Sequence, residues 1–198
     1  MIAGIASRER EGLSGASREA LDKILDETLR ASRMLENRAA IAKVDAGSAL
    51  PREWLSVEEL VGAVLARLEP RLVGRSVETS VDGDVLIHSD AVMAELLLIN
   101  LLDNATRYTP PGSAIEITAR RVDSATTLEV SDHGPGLSAE AVRNVDQPAE
   151  SRRGLTACQR IVASYKGKLE MVPRAGGGAV VRITIPDAST SPTSRNDK

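Results

Sequence analysis

Two side-chain amides, one helical turn apart, are the residues of this sequence best suited to bind a ligand. Asn100 and Asn104 lie in a leucine-rich segment whose periodicity predicts a helix over 90–107. Because residues four apart share a helix face, both amides would project in the same direction. Asparagine is unfavourable inside a helix, so two on one face favour a binding role over surface or core hydrogen bonds.

The residue types around these amides predict a magnesium site with bound phosphates. Mg²⁺ takes oxygen ligands and keeps several waters, so one amide oxygen together with nucleotide phosphates suffices to hold it. We predict that Asn104 is this magnesium ligand. Arg107 could contact a phosphate as a fixed cation, and Tyr108 could lie against the face of an adenine ring.

A carboxylate followed by two glycines predicts the matching base-recognition site. Asp132 ends a predicted strand at 126–132 and precedes Gly134 and Gly136. Its carboxylate could accept a hydrogen bond from the exocyclic amine of adenine, a bond of roughly 1.5–3 kcal/mol that guanine cannot form there. The glycines allow the backbone to approach base and phosphates where a Cβ would clash. The two motifs together predict an ATP pocket.

Composition excludes several other classes of protein. The 198 residues suit one or two small soluble domains, and a net charge of −3 with only three aromatic residues argues against nucleic acid. A single cysteine excludes an internal disulfide. No apolar run approaches the roughly 20 residues that span a bilayer, and the start lacks a signal-peptide pattern. We expect a cytoplasmic protein, or the cytosolic part of a larger one.

The first quarter of the chain predicts a helical hairpin over 1–47. Apolar residues at three- and four-residue steps predict a helix over 17–45, capped by Ser17, after a shorter helix from Ile2 to Leu13. Two helices with narrow apolar stripes leave one seam exposed, which favours a four-helix bundle made by two chains. The alternative is a hairpin packed on the rest of its own chain.

The remainder predicts an α+β domain over 56–186, after a linker at 48–55 and before a disordered tail at 187–198. Ser56 and Glu59 form a capping box for a helix that stops near Pro70. Mixed strands covered by helices on one face predict a two-layer sandwich. The other predicted elements are strands at 76–81, 84–88, 114–122, 126–132, 168–173 and 178–185, and helices at 138–145 and 154–166.

These motifs resemble those of sensor histidine kinases of two-component systems, whose catalytic domain has the Bergerat ATP-binding fold of gyrase-type ATPases and Hsp90. The resemblance covers about residues 15–186, and the segment before the domain is similar to Kdp-type potassium-responsive kinases. The hairpin resembles their dimerisation and phosphotransfer bundle. Residues 100–109 are similar to the N box, 132–137 to the G1 box, and 153–162 to the end of the G2 box.

The resemblance implies a function and a set of site residues. It implies transfer of the γ-phosphoryl group of ATP to a bundle histidine, a homodimer, and a response regulator receiver domain as partner. In the related ATPases a glutamate stands at the place of Asn100 and activates water, which an amide cannot do. The implied ATP and magnesium site comprises Asn100, Asn104, Arg107, Tyr108, Asp132, Gly134, Gly136, Gly154 and Leu155.

The sequence departs from the family in three ways. It has no histidine in 1–47, where the acceptor should lie, and the family's histidine box would fall just before Met1. The only histidines are His88, expected at a strand end, and His133, expected at the pocket rim. The phenylalanine-bearing lid motif is missing, and of the G2 glycines only Gly154 remains, near Arg152 and Arg153.

These departures leave a second hypothesis open. The chain could be a degenerate, non-enzymatic dimeric scaffold, or a phosphotransfer protein, that docks a response regulator. A third hypothesis is a serine kinase of the anti-sigma type, which uses the same ATP fold. Such kinases lack a helical hairpin, so the predicted hairpin argues against this hypothesis.

Overall fold

The computed structural model describes residues 15–46, 51–134, 136 and 153–187. Its first element is helix α1, Gly15–Asp45. This helix begins two residues before Ser17, so the prediction that Ser17 caps it was wrong. The predicted helices at 2–13 and 138–145 lie outside the described residues.

Helix α1 packs on the rest of the chain through its C-terminal half. Asn37 and Ala40 are buried, whereas Ile24 and Leu35 are 62% and 68% exposed. At the end of the helix, Asp45 Oδ1 lies 2.5 Å from a guanidinium nitrogen of the later helix α4, Arg153–Ser164. This contact agrees with the alternative in which the helical region packs on the rest of its own chain. The two-chain bundle remains a prediction.

Strand β1, Glu53–Ser56, begins the α+β domain and was not predicted from the sequence. It pairs antiparallel with strand β3, Leu86–Ser89, so that Trp54 lies opposite His88. The two rings contact each other with centroids 5.1 Å apart. Residues 53–56 are therefore part of the folded domain.

The segment just before β1 is fixed to the end of helix α4. The Arg52 guanidinium lies 4.7 Å from the centre of the Tyr165 ring and donates a hydrogen bond to the Ser164 carbonyl oxygen at 3.0 Å. The Tyr165 hydroxyl oxygen in turn accepts the backbone N–H of Asp90 at 3.1 Å. The Tyr165 side chain thus connects Arg52, just before β1, to Asp90, which caps the helix that bears Asn100 and Asn104.

Helices α2, Val57–Leu72, and α3, Ala91–Tyr108, begin at the residues that their capping patterns indicate. Ser56 Oγ accepts the N–H of Glu59 at 3.3 Å, which confirms the predicted cap. Asp90 caps α3 in the same way. Helix α2 continues two residues past Pro70, because a proline so close to the C-terminus removes only one helical hydrogen bond.

A five-stranded mixed sheet forms the second layer, in the order β2-β4-β5-β7-β6. Only β2 and β4 are parallel. Buried and less buried residues alternate along β7, so one face packs against α2, α3 and α4, and the predicted α+β two-layer arrangement is confirmed. The strands are β2 Val77–Val81, β4 Ile115–Val122, β5 Ala125–Asp132, β6 Lys168–Pro173 and β7 Ala179–Pro186.

Leucine, isoleucine and valine fill the core in the absence of phenylalanine. Among the largest fully buried side chains are Leu98, Leu101 and Leu102 of α3, which face Ile115 and Ile117 of the sheet layer. The helix that carries the two asparagines is therefore fixed along its length. Within the described ranges, none of the helices combines the length and the apolar character needed to cross a bilayer.

Candidate functional site

Four of the predicted site residues lie along the second half of helix α3. Asn100 is buried, Asn104 is half-buried, and Arg107 and Tyr108 are exposed at the end of the helix. Among the described residues, none forms a hydrogen bond with the Asn104 amide. At steps of three and four residues, α3 thus presents an amide without a partner in the described ranges, a cation and an aromatic ring on one face.

A loop arginine holds the C-terminal end of this helix in place. Arg75 Nη2 donates to the Thr106 carbonyl oxygen at 2.7 Å and to the Thr109 carbonyl oxygen at 3.0 Å. One turn earlier, Arg71 of α2 pairs with Asp103. Arg75 satisfies carbonyl groups that a helix end leaves without partners, and Arg71 adds an ion pair with a side-chain carboxylate of the same helix. Together the two arginines fix the turn that carries Arg107. Nothing in the local sequence signals this long-range contact.

The Asp132 loop touches the end of α3. Asp132 Oδ1 accepts the N–H of Gly134 at 2.8 Å, which leaves the second carboxylate oxygen for another donor. A Cβ added at Gly134 would lie 2.6 Å from the Tyr108 carbonyl oxygen and 2.9 Å from Asp132 Oδ1. The absence of a side chain at Gly134 therefore allows the ring of Tyr108 and the carboxylate of Asp132 to belong to one site.

A turn that contains three glycines contacts the backbone of the same loop. Gly178, between β6 and β7, has a φ of +97°, and a Cβ there would overlap the Asp132 carbonyl oxygen. Gly136 has a φ of +80°, and its Cβ would lie 3.2 Å from the Gly178 carbonyl oxygen. The local sequence of residues 176–178 indicates no more than a turn between two strands. Their contact with the loop depends on the pairing of distant strands.

His133 is held at the rim of the loop. Its Nδ1 lies 3.0 Å from the Ala114 carbonyl oxygen, and its Nε2 lies 3.6 Å from Glu116 Oε1. Arg174 donates to the same Glu116 oxygen at 2.8 Å. With Nδ1–H donating to the Ala114 carbonyl oxygen, the imidazole ring connects the loop to the start of β4.

The most unexpected contact joins Asn100 to helix α1. Asn37 Nδ2 donates to Asn100 Oδ1 at 3.1 Å, and Asn100 Nδ2 donates back to Asn37 Oδ1 at 2.7 Å. Both residues are buried, with 6% and 7% of their surface exposed. Sequence analysis did not single out Asn37, because an asparagine on a charged helix face carries no local signal of a partner 63 positions away.

The first turn of α4 lies beside this amide pair. A Cβ on Gly154 would lie 3.1 Å from Asn100 Oδ1, so the absence of a side chain there gives the amide room. Leu155 is buried in the core and does not face open space.

Further along α4, burial raises the pKa of the Cys158 thiol from 9.0 to about 12, so this cysteine is an inert core residue.

The donor set suits a phosphate-bound cation better than an all-protein metal centre. Within the part of the chain that the structure describes, no three histidine, cysteine, aspartate or glutamate side chains converge as metal ligands. A cation at this site would depend on an amide oxygen and on oxygens of its phosphate partner.

Residues 89–189 match the family of histidine kinase-, DNA gyrase B- and HSP90-like ATPases. The chain belongs to this family. Its residues 89–189 form the ATP-binding catalytic domain found in histidine kinases. The extent of the match runs from just before the cap of α3 to just beyond β7, and so includes every predicted site residue.

The chain is similar to sensor kinases of the Kdp type over more than four fifths of its length. The sensor protein KdpD of Clostridium acetobutylicum is 31% identical over 182 residues, which cover 85% of this chain. KdpD of Escherichia coli K12 is 33% identical over 175 residues, which cover 83%. The chain spans only about a fifth of the length of these curated relatives, 20% in each case.

Solved histidine kinase structures share the fold of this ATPase domain and its helix. The histidine kinase AdeS of Acinetobacter baumannii aligns over 94% of this chain and 95% of its own, with a TM-score of 0.73 and 22% identity. The histidine kinase ThkA, in complex with response regulator protein TrrA, aligns over 94% of this chain and 56% of its own, with a TM-score of 0.69 and 22% identity.

Proposed function

We propose that this chain binds Mg-ATP and delivers the γ-phosphoryl group to a histidine of a helical bundle, from which it passes to a response regulator. The observation that carries the proposal is the contact of Gly134 with the end of α3. This contact supports a single site in which Asn104, Arg107 and Tyr108 of α3 act together with the carboxylate of Asp132.

The adenine would bind at the Asp132 end of this site. The carboxylate has one oxygen engaged by the Gly134 N–H and one left to accept the exocyclic amine. The Tyr108 ring is 43% exposed and can cover one face of the base. A side chain at position 134 would collide with the Tyr108 carbonyl oxygen and the Asp132 carboxylate.

The phosphates and magnesium would bind towards the middle of α3. Asn104 has an amide oxygen with no partner among the described residues, as a magnesium ligand requires. Arg107, one turn further on, would neutralise phosphate charge. Bound magnesium would lower the charge that opposes attack on the γ-phosphoryl group. Asn100 is an amide and cannot activate water, which favours transfer to a side chain over hydrolysis.

The acceptor histidine would come from another polypeptide segment. The chain has two histidines and none in residues 1–47. His88, in β3, packs on Trp54 of β1, and His133 is bound to the Ala114 carbonyl oxygen. Neither lies on a bundle helix, so we infer that this domain phosphorylates a histidine supplied in trans or by a longer chain.

We further propose that α1 forms a dimer and that a response regulator docks on it, in the cytoplasm. Four exposed residues at steps of four, three and four form one stripe on α1, as in a helix that pairs with a second helix: Ile24, Thr28, Ala31 and Leu35. The boundaries expected from the sequence, 1–47, 48–55, 56–186 and 187–198, would then separate the bundle, linker, ATP-binding and tail regions, with the end of the linker paired to the domain through β1.

Calorimetry with Mg-ADP tests nucleotide binding directly. We expect binding by the parent protein, loss of binding in Asn104→Ala, and unchanged binding in a control variant, Glu78→Ala, whose side chain is exposed on the edge strand β2. Binding that persists in Asn104→Ala would contradict the metal-ligand assignment. No heat with the parent protein would favour the non-enzymatic scaffold.

A transfer assay tests the reaction. The chain is incubated with labelled ATP and a histidine-bearing bundle from a Kdp-type relative, and label on the bundle is measured. We expect acid-labile label that depends on Asn104. Nucleotide binding without transfer to any such bundle would overturn the kinase proposal and leave an ATP-binding scaffold.

A further inference from the structure

The reciprocal amide pair between α1 and α3 joins the helical region to the proposed nucleotide site. Asn37 and Asn100 exchange two hydrogen bonds, at 3.1 and 2.7 Å, and both residues are buried. Each amide uses one donor and one acceptor on the other, so half of the capacity of Asn100 is taken by a residue outside the ATPase domain. Helix α1 therefore covers Asn100.

We propose that α1 is a nucleotide-sensitive latch, in which Asn37 occupies Asn100 in the docked state and must withdraw when Mg-nucleotide engages Asn100. The inference rests on the proposed function and on the place in its nucleotide site that the family resemblance implies for Asn100. Phosphates and a hydrated cation need open space beside the amide, and the docked helix leaves Asn100 only 7% exposed. Docked α1 and bound nucleotide therefore compete for one side chain.

Apart from its packing on α4, helix α1 has a solvent-exposed ion pair with that helix and borders a cavity. Its last residue, Asp45, pairs with Arg160 at 2.5 Å, but both side chains are about half exposed, at 48% and 51%, where an ion pair contributes little. On the other side, a cavity of about 260 Å³ separates α1 from α2 and α3, lined by Ala39, Lys43, Arg67 and Val92 among others. Among the described residues, the amide pair is thus the principal buried polar contact between α1 and the domain, beside the apolar contact of Ala40.

Linkage gives the latch a measurable consequence in both directions. If docking lowers the affinity for nucleotide by some factor, nucleotide must weaken docking by the same factor. Truncating Asn37 removes its two bonds in the docked state only and leaves Asn100 buried without a partner there. The undocked state, which would bind nucleotide, should gain population.

The test measures Mg-ADP affinity and hydrogen exchange on the intact chain. In Asn37→Ala we expect Mg-ADP to bind roughly 5-fold or more tightly than in the parent, the change that loss of a buried amide partner produces. Asp45→Ala should change affinity in the same direction but less. Arg38→Ala, whose side chain is exposed on the same turn of α1, should leave affinity unchanged.

Hydrogen exchange of the C-terminal half of α1 reports docking without relying on affinity. We expect these amides to exchange faster in Asn37→Ala without nucleotide, and in the parent only after Mg-ADP is added. Affinity in Asn37→Ala equal to or below that of the parent, or unchanged exchange in a parent that binds Mg-ADP, would overturn the latch alone. Absence of Mg-ADP binding in both proteins would overturn the proposed function and the latch together. Binding by Asn37→Ala alone would support both.

Discussion

The carbonyl oxygen of Asp132 lies so close to the α-carbon of Gly178 that no side chain fits between them. This contact joins the loop that carries the predicted base-recognition carboxylate to the turn between the last two strands. The turn holds three consecutive glycines, all with positive φ. Two of them, Gly176 and Gly178, share a similar backbone conformation but differ in surroundings, which makes them a matched pair for testing the contact.

Alanine at Gly178 should destabilise the protein more than alanine at Gly176. Both positions have positive φ, +97° and +87°, which costs an alanine about 1–2 kcal/mol. Gly176 has nothing within 4 Å of an added Cβ, whereas at Gly178 the Cβ overlaps backbone, so a further loss of roughly 1–3 kcal/mol is expected. Denaturant unfolding measures both, and Mg-ADP affinity should fall only in Gly178→Ala. Equal losses of stability would mean that the contact is not tight.

Replacement of Asp132 by asparagine should impair adenine recognition with little effect on folding. The amide keeps an oxygen for the Gly134 N–H but turns a donor towards the adenine amine, so Mg-ADP affinity should fall by roughly 10- to 100-fold. The preference for adenine over guanine nucleotides should fall as well. Asp84→Asn, an exposed carboxylate before β3, is the control. Unchanged affinity in Asp132→Asn would place the base elsewhere.

The thiol of Cys158 should be unreactive in the native protein. Burial raises its pKa to about 12, so almost no thiolate exists at pH 8 and no reagent can reach the sulfur. An aromatic disulfide reagent should modify it only as fast as the protein unfolds. The unfolded thiol ionises near its ordinary 9.0, so this group stabilises the fold fully below pH 9 and loses that contribution as pH rises towards 12. Rapid native modification would contradict this burial.

Light scattering should give twice the chain mass of 21.0 kDa. The exposed stripe on α1 is the expected interface, so Ile24→Arg and Leu35→Arg together should yield a monomer, because two charges would enter an apolar seam. Val122→Arg, at an exposed site at the end of strand β4, should remain a dimer. A monomeric parent protein would exclude the two-chain bundle.

Local patterns predicted most of the ATPase domain because its elements are locally determined. Alternating apolar residues in β4 and the capping box at Ser56 depend only on neighbours in sequence, and both were predicted near their observed bounds. Strand β1 was missed because Glu53–Ser56 has no alternation and is defined only by pairing with a strand more than thirty residues later. The length of α2 past Pro70 was missed for lack of packing information.

The candidate site likewise contains some residues that local sequence predicts and others that it does not. Asn100 and Asp132 carry local signatures, since an amide within an apolar helix and a carboxylate before glycines are unusual at those positions. The residues that surround them do not. Asn37, Arg75 and Gly178 act through contacts with distant parts of the chain, and each would be an ordinary helix, loop or turn residue if its segment were taken alone.

The anchoring of the chain just before β1 has a mechanical consequence. Arg52 stacks on Tyr165, and Tyr165 holds the backbone of Asp90, the cap of the helix that bears Asn100 and Asn104. Tension applied at residue 52 would reach the first turn of that helix through two side chains, without deforming the five-stranded sheet. The short segment at Arg52 can therefore act as a lever on the helix that bears the two asparagines.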